Sequence, residues 1–127
     1  MAENRFKLRT DWFARRIRKE INLNEPGIYE WRIGDGLYVG KATRLRSRLR
    51  AYPRNVRHMI MGLPYHGDPA KKFRAVHIAL HRAYTEVRRV TVSVLENCTR
   101  SELNNRERYW IARRQREYRR GGPRVLN

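Results

Sequence analysis

Hydrophobic residues recur along this chain with two different periods, and each period predicts an element. Phe13, Ile17 and Ile21 are four apart, which predicts an N-terminal helix capped by Thr10 and running to about Asn22. Arg15, Arg16, Arg18 and Lys19 fall off that stripe. Asn24-Glu25-Pro26-Gly27 then breaks the helix. From Ile28 the pattern changes to alternation, with Tyr29, Trp31 and Ile33 on one face of a strand, then Gly34-Asp35-Gly36, then a second strand. A loop of Gly34-Asp35 pairs Trp31 with Tyr38 and puts Tyr29 and Tyr38 on one face. A three-residue loop instead sends the two tyrosines to opposite faces, and the sequence alone leaves both registers open.

A short helix is expected next, capped by Thr43, running to Tyr52 and stopped by Pro53. Leu45 and Leu49 form its buried edge, while Arg44, Arg48 and Tyr52 stack four apart along a neighbouring edge. Pro53 to Pro69 reads as a long loop. Lys71 to Tyr84 reads as a helix with Phe73, Val76, Leu80 and Tyr84 inward, and Val90, Val92 and Val94 alternate as one strand. Thr99-Arg100-Ser101-Glu102 is a capping-box pattern opening a last helix to about Glu117. Together these predict an α+β fold: a small antiparallel sheet of about three strands flanked by helices, with an extra N-terminal helix.

The chain has 127 residues, enough for one domain (1–127), divided into an N-terminal helical extension (1–24) and a core (26–127). Thirty Lys and Arg against twelve Asp and Glu leave a net charge of +18, spread along the whole length. That surplus makes a polyanion the expected partner, and the preference for arginine suits forked phosphate contacts. The single cysteine, Cys98, excludes an intrachain disulfide and a cysteine-pair zinc site. With no apolar run near the ~20 residues of a membrane span and no signal-peptide pattern, a cytoplasmic protein without membrane contact is expected. His77 and His81 are four apart, but without an HExxH pattern they point to packing or phosphate contact rather than metal.

One acid breaks the pattern. On the last helix Leu103, Trp110 and Ile111 mark the apolar stripe, and Glu107 lies between them on the same stripe. An ionised carboxylate there needs a compensating cation, either a neighbouring arginine or a divalent metal. Both readings stay open at this point.

Gly27-Ile28-Tyr29, then Tyr38-Val39-Gly40 and Lys41, then Arg48 ten residues after Tyr38, then Tyr52, Glu107-Arg108-Tyr109-Trp110-Ile111 and Asn127 follow in order. This set resembles the GIY-YIG nuclease family, with Val39 for the usual isoleucine. It is nearest in motif to the nuclease domain of bacterial excision-repair incision subunits and to small stand-alone members. The resemblance spans Pro26 to Asn127. It implies a metal-dependent endonuclease with Tyr29, Tyr38, Lys41, Arg48, Tyr52 and Glu107 as catalytic residues, and Glu107 holding one Mg2+ or Mn2+ per active site. Arg48 suits phosphate binding because its planar fork stays charged. Tyr29 is assigned as the base on the expectation that Lys41, Arg48 and the metal lower its pKa, with Tyr38 and Tyr52 orienting water and phosphate. Arg44, Arg46, Arg50 and Asn127 are expected to contact nucleic acid, DNA before RNA. A monomer or homodimer, alone or with a specificity-giving partner protein, and a bacterial or phage source are further expectations. The alternative is a non-catalytic basic nucleic-acid-binding protein on the same scaffold.

Overall fold

The computed structural model describes residues 7–9, 11–68 and 70–127. Among them the chain forms an α+β fold in which a five-stranded mixed sheet carries α-helices on its two faces. The strands are β1 (Ala14–Arg16), β2 (Gly27–Ile33), β3 (Gly36–Ala42), β4 (Val90–Asn97) and β5 (Arg124–Val125), in the spatial order β1-β4-β2-β3-β5. The central three are antiparallel, as expected. The two edges are parallel additions, β1 on β4 and β5 on β3, which enlarge the expected three-stranded sheet. No helix among the described residues is long and apolar enough to cross a membrane.

The hairpin takes the two-residue loop. Ile33 pairs with Gly36, Trp31 with Tyr38 and Tyr29 with Gly40, so both tyrosines stand on one face. Gly34 has φ of +61°, the left-handed conformation a tight turn of this kind requires. Val90, Val92 and Val94 are buried and alternate with half-buried Thr91 and Ser93, as the period-two pattern requires.

The expected N-terminal helix does not form. Thr10, its assigned cap, lies outside the described residues; Trp12 to Leu23 are strand, turns and extended chain. Phe13, Ile17, Ile21 and Leu23 instead pack one by one against the main core. Paired side chain-backbone bonds tie the segment down: Asn97 receives the Asn22 N–H at 2.8 Å and donates to the Asn22 and Pro26 carbonyls at 2.9 and 3.0 Å. Docking on β4 satisfies the backbone and buries the apolar residues together, which an isolated helix with a single stripe cannot match.

Helix α1 runs Leu45–Ile60, straight through Pro53, so both the expected stop at Tyr52 and the long loop from Pro53 are corrected. Its N-cap is Arg44 rather than Thr43. Proline removes one helical hydrogen bond, a cost of about 3 kcal/mol inside a helix. The stripe Leu45, Leu49, Tyr52, Val56 continues on both sides of it, all buried, and that burial outweighs the lost bond. Helix α2 is Ala75–Thr85, shorter at its start than expected, with Val76 and Leu80 inward. Phe73 lies ahead of it against Tyr65 and His77. Helix α3 is Leu103–Arg119, entered through a turn in which Glu102 accepts the Thr99 N–H at 3.0 Å, as the capping-box pattern anticipated.

Two cores result. Tyr29, Trp31, Tyr38, Val90, Val92 and Val94 meet α1 and α2 on one face, and Ile28, Leu37 and Val39 meet Leu103, Trp110 and Ile111 of α3 on the other. Glu30, buried on the α3 side, is held by Arg114 at 2.5 Å and Arg32 at 3.0 Å.

Candidate active site

Tyr29 lies across Gly40, its cross-strand partner. A Cβ built on Gly40 would sit 2.4 Å from the Tyr29 ring carbon Cζ and hydroxyl, so only glycine permits this ring position. The Tyr29 hydroxyl thereby reaches Tyr52 of α1, and the two share a hydrogen bond. Tyr38 stands beside them, and its hydroxyl accepts a 2.7 Å bond from the Arg74 guanidinium at the head of α2. Three of the tyrosines expected at a catalytic site therefore converge between sheet, α1 and α2. Tyr29 and Tyr52 are each 1% exposed and Tyr38 is 8% exposed, so Tyr38 is the one nearest solvent.

Burial decides their protonation. It pushes the Tyr29 phenol well above its ordinary value, and Tyr52 adds to the rise, while Arg48 pulls the other way with less effect. Burial raises Tyr52 as well, against the opposing hydrogen bond from Tyr29. Burial also raises Tyr38; Arg74 opposes this and Glu107 reinforces it. Of the cations expected to lower the Tyr29 pKa, Arg48 does so, but burial outweighs it, because a phenolate loses more solvation in this core than that cation returns.

Arg48 is exposed on α1, one turn before Tyr52, and lines an open trough of about 290 Å³ with Arg44, Arg54, Ser47 and His66. Arg44 also reaches the Ser47 hydroxyl and the Asn24 side chain, each at 3.3 Å, and Arg46 donates to Asn24 at 3.1 Å. Arg50 faces a separate hollow beside Arg15 and Pro53. The arginine-lined trough can receive a phosphate backbone; Arg50 lies outside it.

Lys41 and Glu107 lie on the α3 side of β3, near enough for the Glu107 charge to act on Tyr38. The Lys41 ammonium is 3.8 Å from the Glu107 carboxylate and also bonds the Asn104 side chain. Glu107 is indeed on the inward stripe of α3, but its side chain keeps 23% of its surface exposed. No group of three or more metal-type side chains occurs among the described residues. A single accessible carboxylate suits a hard cation such as Mg2+, which keeps most of its waters, and does not suit zinc.

Asn127 is placed by the edge of β3. Its side-chain amide accepts the Val39 N–H at 3.0 Å and donates to the Val39 carbonyl at 2.6 Å, prolonging the β5 pairing by one step. Both halves of its amide are therefore engaged in fastening the tail.

Sequence reasoning missed Arg74, Asn104 and Arg54. Arg74 is 36 positions from Tyr38 and Asn104 is 63 from Lys41, so no local spacing could have linked them. His77 is engaged within the core. It is 3% exposed, accepts the Arg74 N–H at its Nδ1 and faces the Asn55 amide, and burial with Arg74 lowers its pKa to about 4. Trp31 is wholly buried and packs the core. Comparison of the chain with protein-family models, curated proteins and solved structures found no match.

Proposed function

We propose that this protein is a GIY-YIG-type endonuclease that hydrolyses phosphodiester bonds, in DNA before RNA. The observation that carries the reading is the register that lays Tyr29 over Gly40, joins it to Tyr52 and brings Tyr38 beside them next to Arg48. These residues are scattered from position 29 to 52 and gain nothing structural from the exposed Arg48.

Arg48 and Arg44 bind the phosphate in the trough, and the planar Arg48 fork neutralises two of its oxygens. Tyr38, protonated and steadied by Arg74, donates to a phosphate oxygen or orients a water. Tyr29 and Tyr52, sealed from solvent, are positioning residues that hold this arrangement. Glu107 would hold one Mg2+ or Mn2+, which supplies charge neutralisation at the departing oxygen. Lys41, 3.8 Å away, orients the Glu107 carboxylate.

The protonated tyrosines also favour a second reading, a nucleic-acid-binding protein that does not cut. Incubation with supercoiled plasmid, branched DNA and single-stranded RNA, with and without magnesium, separates the two. Metal-dependent cutting lost in Glu107→Ala with binding retained supports the nuclease. Salt-sensitive binding without cutting of any substrate supports the binding protein.

A further inference from the structure

Helix α3 packs against β2, β3 and β5 and reaches β4 at Glu96, which Arg106 and Trp110 bond; Thr91 of β4 and Arg16 of β1, farther along the same face, instead line a hollow. There the sheet surface is polar: β1 is exposed along its length, and Thr91 and Ser93 of β4 are half-buried. Arg16 of β1, Arg32 of β2 and Arg89 line a hollow of about 350 Å³ with Thr91, and no carboxylate borders it. A second hollow of about 620 Å³ shares Arg16, Arg89 and Thr91 and adds Arg9 and Arg88, against one acid, Asp11.

Arg9 is occupied by Tyr84, Arg88 by Glu86, and Arg32 in part by Glu30. Arg16 and Arg89 have no side-chain partner among the described residues, and both are exposed. Two unpaired guanidinium groups on one hollow repel each other, and an anion bound between them relieves that repulsion. The smaller hollow is lined by three guanidinium groups, the Thr91 hydroxyl and Gly34, with no aromatic or aliphatic side chain, while the larger adds Trp12, Phe13 and Val87. A phosphodiester backbone matches both the charge and the polarity.

We infer that this uncovered end of the sheet is a second nucleic-acid-binding surface, gripping the phosphate backbone through Arg16 and Arg89. It lies on the face of the sheet opposite α1 and its Arg48 trough, and so it engages a different stretch of the same polyanion. The inference does not rest on cleavage: a protein that binds and never cuts would use the surface equally.

Anisotropy of a short fluorescein-labelled DNA duplex, titrated in chelator across about 50 to 200 mM salt, tests it. Arg16→Ala/Arg89→Ala weakens binding roughly tenfold at about 100 mM salt and lowers the salt slope by about 2, at about 0.9 for each lost phosphate contact. Arg116→Ala/Arg119→Ala, an equal loss of exposed charge on α3, changes affinity less than about twofold. Arg16→Lys/Arg89→Lys, which keeps the charge, preserves the slope and shows that the alanine result is not a folding defect. Equal losses in the two alanine pairs, no loss in the first, or no duplex binding by the wild type overturns the proposal.

Discussion

Replacing Gly40 by alanine tests the geometry on which the site depends. The new methyl carbon would stand 2.4 Å from the Tyr29 ring, and ordinary contact begins near 3.4 Å, so the ring must retreat by about 1 Å. Tyr29 has no free space to retreat into, being 1% exposed and packed against Tyr52, whose ring is itself backed by Trp31. Overpacking of this kind costs about 1–3 kcal/mol, and parting the buried hydroxyls costs a further ~1 kcal/mol. Removing a glycine from a strand interior returns about 0.5–1 kcal/mol. The net is a loss of about 2 kcal/mol, or roughly 8 °C in melting temperature for a domain of this size. Thermal melts followed by circular dichroism read it directly. In a Tyr29→Val background the ring is gone and Gly40→Ala becomes neutral or stabilising, a coupling of about 2 kcal/mol. A melting temperature unchanged or raised by Gly40→Ala in the wild type would refute the placement of Tyr29, because without the collision the sign is positive.

Three further outcomes follow from the same coordinates. Arg114→Ala strands the buried Glu30 carboxylate with only the partly exposed Arg32, and urea unfolding should show a loss of about 3 kcal/mol, largely recovered in Glu30→Gln/Arg114→Met. His77, lowered to about 4 from 6.5, stays neutral in the folded protein while the unfolded chain takes up a proton, so stability is complete above pH 6.5 and falls by about 3 kcal/mol as pH drops to 4. Urea midpoints across that range should flatten in His77→Gln. The three raised tyrosines have the opposite sense: their contribution is complete below pH 10 and is lost as pH rises beyond it, and because Tyr38 acts protonated the cleavage rate levels off below pH 9, whereas a continued climb would make Tyr38 the base. Such a plateau assigns water activation to another group.

Local pattern by itself determined the hairpin strands, the valine strand, the last helix and its capping turn, because each rests on contacts within a few residues. It also determined the arginine excess and the inward position of Glu107, which is a matter of helical phase alone. Tertiary structure decided what those patterns compete for. Phe13, Ile17 and Ile21 have helical spacing, yet β4 offered Ala14–Arg16 between them a strand partner and the core took their side chains, so the segment forms a short strand and turns instead of a helix. Pro53 is a helix breaker by local rule, yet Tyr52 and Val56 must both reach the sheet, and a continuous α1 is what brings them there. The raised tyrosines come from the same source. A phenol's spacing in the chain says nothing of its solvation, and only the closing of α1 and α2 over β2 and β3 removed the water that an ionised Tyr29 would need.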